Sequence, residues 1–134
     1  MIANSLSTLP AFLAYFAGAL ALTAAFLWVY MKVTPWDEFR LIGAGNAAAA
    51  ISLAGAVIGF VMPLASVIAH SAGWIDMIVW GVIALLVQVL VYVVARVVVP
   101  GLALGIETGK VPLATALATG SLAVGLLNAA CITW

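Results

Sequence analysis

Charge is what this sequence has least of. Of 134 residues, four are basic and four acidic, and the formal net charge is zero. Charged residues make up 6% of the chain, where a soluble domain carries about 25%. So few charges cannot solvate a folded surface of this length, which excludes a soluble globular domain. The shortage of basic residues also excludes a nucleic-acid binder, which needs cations to neutralise phosphates. Disorder is excluded from the other side, because disordered chains combine low hydrophobicity with high charge. There is one cysteine, Cys131, so no disulfide can form within the chain. There is one histidine, His70. One His and one Cys with four acids supply neither a metal-ligand set nor a triad or dyad for hydrolysis, so no enzyme, cofactor or metal is expected.

What fills the chain instead is apolar. Hydrophobic residues make up 68% and the mean hydropathy is +1.36. The few charges punctuate long neutral runs. None precedes Lys32, none lies between Arg40 and Asp76, nineteen residues separate Asp76 from Arg96, and none follows Lys110. A membrane helix takes about 20 apolar residues. The runs therefore predict an all-α integral membrane protein with four transmembrane helices near 10–31, 45–69, 75–98 and 112–133. The runs are continuous rather than alternating, which favours helices over a barrel. The partner this implies first is the lipid bilayer.

All four basic residues fall in two connections: Lys32 and Arg40 in the first, Arg96 and Lys110 in the third. The positive-inside rule puts those connections in the cytoplasm and both termini in the periplasm. The first residues lack a basic leader region, so the first apolar run reads as an uncleaved span. Trp28, Trp36, Trp74 and Trp134 lie near span ends and read as interfacial anchors. Thr34-Pro35-Trp36-Asp37-Glu38 reads as a helix stop and restart, with Glu38 and Arg40 available to pair with Arg96 or Glu107.

An offset of 66 residues brings the two halves into rough register, as two parallel helix-pair repeats of about 9–69 and 75–134 within one domain, 1–134. Ala48, Ser52, Gly55, Gly59 and Met62 then overlay Ala114, Ala118, Ser121, Gly125 and Asn128, and Gly43 overlays Gly109. Steps of three and four put each set on one helix face. Small residues let helix backbones approach closely in lipid, so Gly55, Gly59, Ser121 and Gly125 are the expected packing positions. Ala14, Gly18, Ala21 and Ala25 make a third small face in span 1. Three such faces exceed the need of one thin bundle, so self-association is expected, and Gly59→Leu or Gly125→Leu should weaken it.

Polar side chains at membrane depth are the candidate functional residues. Gln88 lies mid-span, on a face with Trp80, Ala84 and Tyr92; it either bonds across helices or lines a polar path. Asn128 lies in span 4. Asn46 starts span 2, as a cap or as part of an anion or ligand site at the helix start. His70 and Asp76 bracket the second connection, either as a pH-sensitive pair or as the wet ends of two helices. Gly43-Ala44-Gly45-Asn46-Ala47-Ala48 fits a dinucleotide-binding pattern formally, but no strand precedes it and a membrane span follows.

Taken together, several motifs resemble a known family. They are Thr34-Pro35 with Glu38 and Ile42; Gly45-Asn46-Ala47-Ala48-Ala49-Ala50-Ile51; Gly59-Phe60 with Pro63-Leu64; Asp76, Trp80, Gln88, Tyr92, Arg96 and Pro100; and the closing Gly125-Leu126-Leu127-Asn128-Ala129-Ala130. In order and spacing they are similar to the YjfL-like family of bacterial inner-membrane proteins, a domain of unknown function built from a doubled two-helix unit. The resemblance implies a bacterial inner-membrane location and a link to envelope homeostasis. It carries no catalytic residues. The motif is densest at Glu38, Asn46, Gln88, Arg96 and Asn128, where a polar role is expected. The reading is a self-associating, non-enzymatic membrane subunit that packs with itself or with a cytoplasmic or membrane partner. The alternative is a small oligomeric channel or transporter with a polar path near Gln88 and Asn128.

Overall fold

A computed structural model describes residues 2–132. Its elements are α1 (Ile2–Ser7), α2 (Leu9–Val33), α3 (Glu38–Gly43), α4 (Ala47–His70), α5 (Trp74–Val98), α6 (Leu102–Glu107) and α7 (Val111–Cys131). No strand occurs among the described residues. Four of these helices, α2, α4, α5 and α7, are long and apolar enough to cross a membrane. Pro10 and Pro112 stand in the first turns of α2 and α7, where a missing backbone N–H costs nothing. Asp37 caps α3 by accepting from the Arg40 amide at 3.3 Å.

The short helices were not expected. After α1 the chain repeats one order twice: a long helix, a six-residue helix, a long helix. The two short helices of this repeated order, α3 and α6, end alike, each followed by a positive-φ glycine, Gly45 at +90° and Gly109 at +86°. Gly45 N–H donates to Ile42 O at 3.0 Å, and Gly109 N–H to Ile106 O at 3.1 Å. A side chain is strained in that left-handed backbone, which is why glycine stands at both turns. The equivalent glycines are therefore Gly45 and Gly109, 64 positions apart. The 66-residue overlay of Gly43 on Gly109 is corrected: Gly43 sits inside α3 without a positive φ.

Helix α4 lies at the centre and packs most extensively on α7. The contact is backbone to backbone. A Cβ on Gly55 would meet the Ala118 Cα at 2.6 Å, one on Gly59 the Ser121 carbonyl carbon at 2.9 Å, and one on Gly125 the Gly59 Cα at 2.6 Å. Thus the small faces of spans 2 and 4 cover each other inside one chain. This changes the expectation for Gly59 and Gly125, whose enlargement would disrupt the monomer before any association.

Helix α2 sits at the periphery. Its buried residues are Gly18, Phe26 and Tyr30. Phe26 stacks on Phe60 of α4 with centroids 4.6 Å apart and planes 5° from parallel. Gly18 lies under Met77 and Trp74 of α5. The Trp74 indole donates to the Ala14 carbonyl at 3.2 Å, which ties α5 to α2.

Candidate functional site at the basic end of the bundle

Three polar side chains bolt the helices at three depths. At one end, the Ser66 hydroxyl of α4 lies 3.0 Å from the Ala129 carbonyl and 3.1 Å from that of Ile132. Ser66 was not among the expected functional residues. In the middle, Gln88 is buried at 1% exposure. Its Nε2 donates to the Gly59 carbonyl at 3.0 Å and to the Ser121 carbonyl at 3.1 Å, joining α5 to α4 and α7. Those two residues belong to the close α4–α7 contact, so the amide sits where α4, α5 and α7 meet. Its Oε1 has no partner. Within this chain Gln88 is buried among protein atoms. Asn128 is half-buried, with an unpartnered Nδ2.

At the opposite end Asn46 caps α4 by accepting from the Ala49 amide at 3.1 Å. The same side chain donates to Ile106 O at 2.9 Å and Glu107 O at 3.3 Å, at the end of α6. It joins the two short-helix units, and its amide group is fully engaged. Asn46→Ala is expected to lower stability by about 1–2 kcal/mol, since a cap is lost with two cross-links, and a reduced melting temperature in detergent would show it.

This end also carries Lys32, Arg40, Arg96 and Lys110, and it holds the one buried acid. Glu38 is 0% exposed. It was expected among loop charges, paired with Arg96 if at all. Instead it accepts from the Thr34 hydroxyl at 2.5 Å, and its Oε2 has no partner. Arg96 and Arg40 are exposed. Around Glu38 stand Tyr30 of α2, Trp36 of the α2–α3 connection and Tyr92 of α5. The Tyr92 ring meets Tyr30 edge-on at 5.8 Å and Trp36 edge-on at 5.5 Å. The Tyr30 hydroxyl, the Trp36 indole nitrogen and the Tyr92 hydroxyl are buried without a hydrogen-bond partner, although the Arg96 guanidinium approaches Tyr92.

Trp36 is a correction. At 4% exposure it is a wall of this cage and not an interfacial anchor. Pro35 stops α2 and the chain folds back, which carries the indole inward. Trp28 and Trp74 are exposed, as anchors would be, with the Lys32 ammonium 5.8 Å above the Trp28 ring. Trp134 lies outside the described residues.

Burial pushes the Glu38 carboxyl above the ordinary glutamate range; the Thr34 bond opposes this, and the Asp37 charge adds to it. A cleft of about 480 Å³ opens beside it, lined by Trp28, Met31, Lys32, Thr34, Trp36 and Asp37 among others. A second, of about 590 Å³, lies beyond Trp36 and includes Arg40, Glu107 and Thr108. The sequence reading marked Glu38 but missed Tyr30, Thr34 and Trp36 as its surroundings. The available signal was that two of the three tyrosines stand just before the basic ends of spans 1 and 3.

His70 and Asp76 are each engaged locally. The His70 Nδ1 lies 2.9 Å from Ser66 O, and Asp76 accepts from the Ala72 amide at 3.3 Å. No group of three or more metal-capable side chains comes together among the described residues.

The family model described as Domain of Unknown Function (DUF350) matches residues 4–132. The chain belongs to the DUF350 family. Two relatives, each named UPF0719 inner membrane protein YjfL, come from Escherichia coli K12 and Escherichia coli O157:H7. Each is 38% identical over 129 residues, covering 96% of this chain and 98% of the relative. No solved structure matches. This DUF350 chain is thus a multi-pass inner-membrane protein of the YjfL-like family, with its motif residues Glu38, Asn46 and Gln88 all turned into the bundle.

Proposed function

We propose that this protein is a non-enzymatic inner-membrane subunit that self-associates through the outer face of α2 and supports envelope homeostasis. One observation carries the association. The small faces of α4 and α7 cover each other, whereas Ala14, Ala17, Ala21, Ala24 and Ala25 of α2 are exposed. They recur at steps of three and four, the pattern that lets two membrane helices approach closely. The envelope role is what kinship with the YjfL-like family implies. The four basic residues stand at one end of the bundle, which supports a cytoplasmic location for that end and a periplasmic one for both termini under the positive-inside rule.

The test is Ala17→Leu with Ala21→Leu. Native mass spectrometry of wild-type protein should show an oligomer, and the double variant should shift it to the monomer. Melting temperature should stay unchanged, because these side chains are exposed on the isolated chain. A monomeric wild type, or an oligomer indifferent to the double substitution, would overturn the reading.

A further inference from the structure

The Glu38 cage belongs to no part of the association argument. It combines features that do not occur together by packing alone. The carboxyl is completely removed from solvent, and one of its oxygens is bonded to Thr34. The other oxygen is buried and partnerless, beside two tyrosine hydroxyls and an indole N–H that are also partnerless. A carboxylate left bare in such a place costs far more than one in water, unless a cation compensates it.

The surrounding ionisable groups do not provide that cation. From α2 come Tyr30 and Lys32, and the Lys32 ammonium is directed over Trp28. From the connection and α3 come Asp37, of the wrong sign, and Arg40, which is exposed on the far side of Trp36. From α5 come Tyr92 and Arg96, the latter exposed and beside Tyr92. Glu107 at the end of α6 is again acidic and exposed. No group of three or more metal-capable side chains surrounds Glu38 among the described residues, and its free oxygen offers almost no accessible surface to a larger cation. A proton needs none.

We propose that Glu38 is a proton-binding site, whose neutral carboxylic acid keeps Trp36 and the α2–α3 connection docked on the bundle and whose ionisation releases them toward the adjoining cleft. In the neutral form Thr34 donates to one oxygen, and the other carries the proton and leaves no bare charge among the buried aromatic rings. On ionisation the proton leaves to water in the cleft lined by Thr34 and Trp36. The sign follows from the burial. A carboxyl that binds its proton more tightly when docked stabilises the docked state at acid pH. That stabilisation fades as pH rises through the docked-state value.

The chain contains two glutamates, Glu38 and Glu107. A Glu107→Gln protein labelled with 13C at the glutamate carboxyl therefore reports Glu38 alone. Infrared spectra in lipid, taken between about pH 5 and about pH 9, start just above the ordinary glutamate value. They should show a neutral-acid carbonyl band near pH 5 that persists above that value and is lost at higher pH. Hydrogen exchange of segment 34–43, corrected for intrinsic rate, should lose protection over the same interval. Glu38→Gln, permanently neutral, should keep protection at every pH. A labelled carboxyl already ionised at the acid end would overturn the proposal, as would loop protection that varies equally in wild type and Glu38→Gln. The infrared result needs no substitution at Glu38, so it decides the matter even if Glu38→Gln fails to fold.

Discussion

Gly125→Leu is expected to abolish folding of the bundle, and Gly125→Ala to destabilise it by about 1–3 kcal/mol, the usual cost of overpacking. The direction is opposite to helix propensity, by which alanine improves on glycine by about 1 kcal/mol. Geometry decides between the two effects. The added Cβ would lie 2.6 Å from the Gly59 Cα and 2.8 Å from its carbonyl carbon. These are backbone atoms of a central helix, and they cannot swing aside as a side-chain tip can. The reciprocal change Gly59→Ala meets the Ser121 carbonyl carbon at 2.9 Å and the Gln88 Oε1 at 3.1 Å, so it should cost a similar amount. Gly120→Ala is the control: a Cβ there meets nothing within 4 Å, and stability should hold or rise slightly. Equilibrium unfolding in mixed micelles would measure all three. If Gly125→Ala were as stable as Gly120→Ala, the close α4–α7 contact would be wrong.

Gln88→Glu is the second large expected effect. The side-chain amide donates to two carbonyl oxygens, at Gly59 and Ser121. A carboxylate of the same shape has no donor to offer and brings a charge to mid-membrane, at a cost of about 3 kcal/mol. Gln88→Leu removes only the two bonds and should cost about 1–2 kcal/mol, because both carbonyls sit within regular helices. The expected order of stability is therefore wild type, Gln88→Leu, Gln88→Glu. It can be read from melting temperatures in detergent. Acid should partly rescue Gln88→Glu, since protonation restores one donor and removes the charge. Equal stability of the three proteins would mean that Gln88 does not bridge the helices.

Much of this fold is readable from charge spacing alone. All eight charges lie outside the long neutral runs or at their ends, and each run became one helix within about two residues of its expected limits, within the usual boundary error. The short helices α3 and α6 were not readable, because six residues give too little periodicity to show. Their boundaries rest on local chemistry, the Asp37 cap and the positive-φ glycines. The small stripes on spans 2 and 4 were visible, but not their partner. Steps of three and four define a helix face without saying what it meets.

The candidate site was legible only in part. Glu38 stood out as a motif residue, yet a charge five residues past the last span residue, Val33, reads as solvated. Trp36 reads as an anchor for the same reason. Their burial depends on the chain folding back after Pro35, so that the connection packs on Tyr30 of one helix and Tyr92 of another. Those two tyrosines are 62 residues apart, and nothing local links them.

By itself, then, the sequence determined that this chain is a four-span helical membrane protein, because solvation is a property of composition and run length. It also determined where the four long helices begin and end, since Pro, Gly and charge act on their own neighbourhood. Tertiary structure alone decided which faces meet. It paired the small faces of α4 and α7, spent Gln88 on two carbonyls, left the alanines of α2 uncovered and closed an aromatic cage over Glu38. The rotation of one helix against another is set by contacts between residues far apart in the chain, and no local pattern encodes it.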